Sequence, residues 1–180
     1  MAARGLRLRR LVLCAVMTTV IFLLTFLIKI PAVLGYVHVG DAAVCLAAAI
    51  LPTPYAAAAA ALGAALSDLA GGFAPYIPAT VLIKAAMTLL FCRKSERMLC
   101  RRNLLAALVA ALITPVGYYL ADAGWLALNN ADAAGSVWLA ALAPLPFNCI
   151  QGAVSCLLFL GAAFLLDRFD FKARVFHHIG

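Results

Sequence analysis

Three short clusters of basic residues are separated by long apolar runs, and this alternation decides the solvent in which the chain can fold. The clusters are Arg4, Arg7, Arg9 and Arg10; Arg93, Lys94, Arg97, Arg101 and Arg102; and Arg168, Lys172 and Arg174. Two-thirds of the residues are apolar and 12% are charged, against roughly one in four charged in soluble domains. A bilayer core of about 30 Å asks for about 20 mostly apolar residues per helix, and several runs approach or reach that length. The chain therefore reads as one membrane-embedded domain over residues 1–180.

The pattern predicts an all-α protein of six transmembrane helices, at about 8–28, 41–51, 55–71, 79–92, 104–122 and 144–167. The second run is short enough to be re-entrant, and charge parity decides against that. The first two basic clusters both belong on the cytoplasmic side, which requires an even number of crossings between them. Both termini then face the cytoplasm, with twelve of the fourteen basic residues inside, Lys29 outside and Lys84 within the fourth helix. Asp41 is expected to cap the second helix. Lys29 to Gly40 reads as a structured outer loop, and Gly124 to Leu142, with Asn129, Asn130, Asp132 and two tryptophans, as the longest one. The first apolar run, Leu11 to Ile28, exceeds a signal-peptide core and is read as a mature helix.

Several function classes lose support at once. The basic residues are not interleaved with aromatics, so nucleic acid is not an expected partner. The six cysteines form no CxxC pair and read as reduced packing residues; no metal and no cofactor is expected. There is no HExxH, no GxSxG and no Walker A loop, so no catalytic residue is assigned and any ATP-driven step needs a partner. His177 and His178 sit in the basic tail.

Ionisable groups inside a span cost about 2.5–3.5 kcal/mol each on insertion scales and want a partner, water or a task. Lys84 stands roughly 8 Å into its helix, placed for a ligand, for snorkelling outward, or for an ion pair with Asp68 or Asp122. Thr80, Lys84 and Thr88 share one face of the fourth helix, and Asn148, Gln151 and Ser155 one face of the sixth. By this topology Tyr36, His38, Asp41, Asp68, Tyr76, Lys84, Tyr118, Tyr119, Asp122, Asn148 and Gln151 all lie toward the outer half. Stacking surfaces with a few orienting polar groups are the usual recipe for a small-molecule site.

The segment GYVHVGDAAVCLAAAILPTPYAAAAAALGAALSDLAGGFAPYIPATVLIKAAM, Gly35 to Met87, resembles the substrate-binding S components of energy-coupling factor (ECF) transporters of the riboflavin and related small-vitamin type, and PFNCIQG, Pro146 to Gly152, is similar to their sixth-helix pattern. The resemblance implies a subunit of the bacterial cytoplasmic membrane that captures a vitamin at its outer face. It also implies docking on a transmembrane T subunit carrying two ABC-type ATPases. Small residues on the first helix form the T contact in that family, and Ala15 and Thr19 match, with threonine where alanine is common. The expected ligand is a small heteroaromatic such as hydroxymethylpyrimidine or pyridoxine, or riboflavin. Two other readings stay open: a stand-alone ion-coupled transporter using Asp41, Asp68, Asp122 and Lys84, and a membrane scaffold whose polar stripes only pack helices.

Overall fold

In the computed structural model, which describes residues 2–31, 36–129 and 136–176, the chain is a bundle of helices wrapped around an alanine-rich centre. The elements in order are α1 (Ala2–Phe26), a hairpin of β1 (Lys29–Pro31) and β2 (Tyr36–His38), α2 (Gly40–Ile50), α3 (Thr53–Gly71), α4 (Ile77–Thr88), α5 (Arg101–Asn129), α6 (Ser136–Ala140), α7 (Leu145–Arg168) and α8 (Phe171–Phe176). Asn130, Asp132, His177 and His178 lie outside the described residues.

Helix α2 is almost wholly buried, with Val44, Ala47 and Ala49 fully excluded from solvent. It packs on α1, α3, α4 and α7, so its alanines are read by neighbours on every side. By contrast α1 and α5 expose leucine and valine along much of their length, as helices in contact with lipid must. The helices within α1, α5 and α7 are long and apolar enough to cross a membrane. At 1.5 Å per residue α2 and α4 reach only about 16–18 Å, so neither covers a bilayer core by helix alone. Helix α3 has the length, but alanine, Ser67 and Asp68 keep it less apolar than the other three.

Close helix contacts rest on small residues. A Cβ at Gly63 on α3 would come within 2.7 Å of the Thr18 carbonyl and 2.9 Å of Ile21 on α1. Pro115 inside α5 has no N–H, which frees the carbonyl of Ala111 four residues earlier. Gly152 on α7 sits directly against that carbonyl oxygen, and a methyl there would overlap it. The carbonyl freed by proline in α5 and the glycine in α7 are therefore one packing device, with a Cα–H facing that oxygen.

One local expectation becomes specific and two are corrected. The loop from Lys29 is a two-stranded antiparallel hairpin that pairs Lys29 with His38, Ile30 with Val37 and Pro31 with Tyr36; paired backbone satisfies polar groups at the edge of an apolar bundle. Asp41 does not cap α2: Val39 stands at the N-cap, without a side-chain bond, and Asp41 is turned into the bundle. Helix α5 does not stop near residue 122 but runs through Gly124 to Asn129, because Trp125 to Leu128 contains no residue that breaks a helix.

At the end of the bundle opposite the hairpin, residues 89–100 form no helix, and side chains hold their backbone instead. Asp167 accepts the N–H groups of Met98 (2.7 Å) and Leu99 (2.9 Å). Asn103 accepts the Cys92 N–H and donates to the carbonyls of Cys92 and Met98. The half-buried Asp167 carboxylate and the fully buried Asn103 amide thus take the place of helix hydrogen bonds.

Candidate functional site

The polar residues gather at the hairpin end, in two layers. The deeper layer is built on Asp41, 1% exposed, at the first turn of α2. Its Oδ1 lies 2.7 Å from Lys84 Nζ of α4, itself fully buried. Its Oδ2 accepts from Thr114 Oγ1 of α5 at 3.0 Å and from Gln151 Nε2 of α7 at 3.1 Å. Four helices are thus tied through one carboxylate. The partner of Lys84 is Asp41, not Asp68 or Asp122, and with no exposure Lys84 does not snorkel outward. A buried charge this deep is held only when its opposite is adjacent and the remaining lone pairs are met.

Gln151 also accepts the backbone N–H of His38 at 3.1 Å, which pins the hairpin to α7. Gly40 N–H donates to His38 Nδ1 at 3.1 Å, and His38 Nε2 lies 3.4 Å from the Gln151 amide nitrogen in the floor. The hairpin lies outside the helical spans, and burial pushes the His38 imidazole down to about 4 against the pull of the nearby Asp41 carboxylate. His38 is therefore neutral at physiological pH.

Above this floor lies a cleft of about 40 Å³ lined by Tyr36 and His38 of the hairpin, Asp68 of α3, Phe73 and Tyr76 of the α3–α4 connection, Thr80 of α4, Tyr118 and Asp122 of α5, and Asn148 of α7. Tyr36 OH donates to Asp68 Oδ1 at 2.8 Å, and Tyr76 OH to Asp122 Oδ1 at 2.9 Å. Thr80 and Tyr118 share a hydroxyl contact of 3.2 Å. The rings of His38, Tyr36, Phe73 and Tyr76 follow one another at centroid distances of 5.7, 4.9 and 6.5 Å, a continuous aromatic wall. Lys84 Nζ lies 5.1 Å from the centre of the Tyr118 ring and links floor to wall.

Local chain chemistry places these groups. Gly72 adopts φ 81°, the left-handed conformation that closes α3, with Phe73 N–H returning to the Asp68 carbonyl at 2.7 Å. That turn, followed by a single 3-10 turn at Ala74–Tyr76, swings Phe73 and Tyr76 over the cleft. Proline at the second position of α4 and of α7 starts each helix where no N–H partner is needed.

Seven of the eleven residues expected from the sequence line the cleft: Tyr36, His38, Asp68, Tyr76, Tyr118, Asp122 and Asn148. Asp41, Lys84 and Gln151 form the floor beneath it. Tyr119 stands apart, its hydroxyl reaching the Trp138 carbonyl at 3.4 Å, because a helix turns adjacent side chains about 100° away from each other. Phe73, Thr80 and Thr114 complete the site; Phe73 is signalled in the sequence only by the Gly71-Gly72 pair before it. Both polar stripes face inward: Thr80, Lys84 and Thr88 are each at most 2% exposed, and Asn148, Gln151 and Ser155 at most 9%. On α1, Ala15 and Thr19 are exposed, and Thr19 Oγ1 turns back onto the Ala15 carbonyl at 3.0 Å. Among the described residues no cluster of three or more potential metal ligands occurs.

Apolar helices around a polar, aromatic-walled cleft at one end make the architecture of a membrane protein that holds a small solute. Comparison with known families is specific on this point. The family model of the ECF-type riboflavin transporter, S component, matches residues 5–166, and the chain belongs to that family. It is a family of transporter components rather than of enzymes. No curated protein and no solved structure gives a match.

Proposed function

We propose that this chain is the substrate-capture subunit of an ECF-type importer, which binds a vitamin or vitamin precursor in the cleft between the hairpin and the outer ends of α3, α4, α5 and α7. The observation that carries this is the nine-residue lining of that cleft in a chain whose family match covers residues 5–166. Aromatic faces from three separate segments and hydrogen-bonding groups from four helices converge on one space, which suits a flat heteroaromatic ring held at its edges.

The bundle crosses the bacterial cytoplasmic membrane six times in this reading, with both termini in the cytoplasm. Helices α1, α2, α3, α4, α5 and α7 are the crossings. The short α4 is extended by residues 89–100, whose Phe91 and Met98 are buried. All three basic clusters then fall at the end opposite the cleft, in keeping with the positive-inside rule.

Transport requires partners, a T subunit and two ABC-type ATPases. Their contact is placed on the exposed face of α1 that carries Ala15 and Thr19. The back-bonded hydroxyl of Thr19 leaves only its methyl outward, so threonine serves there as a small apolar residue. Uptake of a labelled vitamin into proteoliposomes that contain this chain, a T subunit and the ATPases tests the proposal. ATP-dependent accumulation is expected; uptake by this chain alone, abolished by an ionophore, would instead support an ion-coupled carrier.

A further inference from the structure

The end of the bundle opposite the cleft carries a second built surface. Residues 93–102 and 167–174 are far apart in the sequence, yet the Asp167 carboxylate fastens them together by accepting the N–H groups of Met98 and Leu99. Asp170, at φ 48°, then turns the chain from α7 into α8, where Lys172 is buried. The two segments hold eight lysines and arginines against three carboxylates, and both oxygens of Asp167 are already engaged with backbone. Lys94, Arg97, Arg101, Arg168 and Arg174 are exposed on this patch. Phe169 and Phe171, between the last two arginines in the chain, are 65% and 36% exposed.

Depth decides what covers this surface. At 1.5 Å per residue, Arg168 lies about 30 Å along α7 from Asn148 of the cleft, and Arg101 lies about 30 Å along α5 from Asp122. That distance is the thickness of a bilayer's hydrocarbon core, about 30 Å. With the cleft at one membrane surface, the patch stands at the level of the opposite headgroups. Exposed phenylalanine beside arginine suits that layer, with rings toward the acyl chains and guanidinium groups toward phosphate. Arginine also meets phosphate oxygens through two parallel N–H groups, which adds geometry to charge.

We infer that this patch is a binding site for the phosphodiester headgroups of anionic glycerophospholipids in the leaflet opposite the cleft. The inference rests on α5 and α7 as membrane crossings and is independent of the capture reading. Bound headgroups cover the stretch from Lys94 to Arg97, which has no helix of its own and is held from below by Asp167 and Asn103. The lipid thus completes from the membrane side a loop that side chains hold from the protein side.

Native mass spectrometry of the full chain tests this, in micelles that contain equal amounts of a phosphatidylglycerol and a phosphatidylcholine with the same acyl chains. Retention of the glycerol lipid is expected to exceed that of the choline lipid by roughly fivefold or more. The triple variant Arg97→Gln, Arg101→Gln, Arg174→Gln is expected to lose most of that preference, while Arg4→Gln with Arg7→Gln on α1 keeps it. A second measurement needs no variant: trypsin cleavage of the parent at Lys94 and Arg97 in nanodiscs should slow severalfold when the glycerol lipid replaces part of the choline lipid. Equal retention of the two lipids overturns the inference, and so does a preference unchanged in the triple variant. An equal loss in the α1 variant also overturns it, because net charge and not the patch would then be the cause. If the glycerol lipid alters neither retention nor cleavage, while an assembled T subunit and ATPases protect the same two bonds in choline lipid, the surface belongs to a protein partner and the inference fails.

Discussion

Replacing Lys84 by methionine removes the charge from a fully buried position while keeping most of the volume. The Asp41 carboxylate is then left 1% exposed, with Thr114 and Gln151 still donating to Oδ2 and nothing opposite Oδ1. Breaking a buried pair from one side costs about 3–5 kcal/mol, chiefly from the uncompensated charge. For a chain of 180 residues, each kcal/mol moves Tm by about 2–4 °C, so Lys84→Met should lower Tm by roughly 6–20 °C. The double variant Lys84→Met with Asp41→Asn removes the stranded charge while the Asn oxygen still accepts from Thr114 and Gln151. It should recover a large part of the loss. Thermal unfolding in a single detergent, followed by intrinsic fluorescence, reads both. A Lys84→Met protein within about 2 °C of the parent would refute the reasoning, and so would a double variant less stable than the single one.

Three further outcomes follow from packing and backbone geometry. Gly152→Ala should destabilise by about 1–3 kcal/mol or prevent folding, since a methyl cannot share space with the Ala111 carbonyl; detergent melting or the yield of monodisperse protein reports it. Asp167→Ala removes the acceptor of two backbone N–H groups, so trypsin should cut at Lys94 or Arg97 at least severalfold faster than in the parent, while cleavage elsewhere is unchanged. Ala15→Trp should block copurification with the T subunit and leave ligand affinity intact, because the exposed face of α1 lies apart from the cleft; loss of binding without loss of assembly would contradict that assignment.

Much of the fold is legible in the sequence, because a bilayer restricts the menu. Apolar run length, proline and glycine punctuation and the three basic clusters give bounds close to those of α2, α3, α4 and α7, whereas α1 begins at Ala2 rather than near residue 8 and α5 runs on to Asn129 rather than ending near 122. Gly124 and the polar Asn129 and Asn130 together suit a loop, although one glycine among good helix formers does not end a helix. The site was legible as a set and not as a geometry. The stripe Thr80, Lys84, Thr88 and the stripe Asn148, Gln151, Ser155 follow from helical spacing alone, and both turn inward. The Lys84 to Asp41 pair does not follow from spacing, since 43 positions separate them and either Asp68 or Asp122 satisfied the same topology; only the rotation of α2, set by neighbours on all sides, brings Asp41 to face α4. The same holds for Asp41: its position near a helix start fits both a cap and a buried ion pair, and tertiary packing decides for the pair. Tyr119 shares the outer half with Tyr118, but a helix turns successive side chains to different faces, so depth in the membrane alone does not bring it to the cleft.

The capture of a small heteroaromatic molecule by this chain is tested most directly by native mass spectrometry of the protein, released from detergent after expression in rich medium. A bound species with the mass of a vitamin or its precursor, displaced when Asn148 or Asp68 is replaced, is the predicted result. A protein that carries no ligand and stays unloaded after incubation with a panel of vitamins and precursors would contradict it.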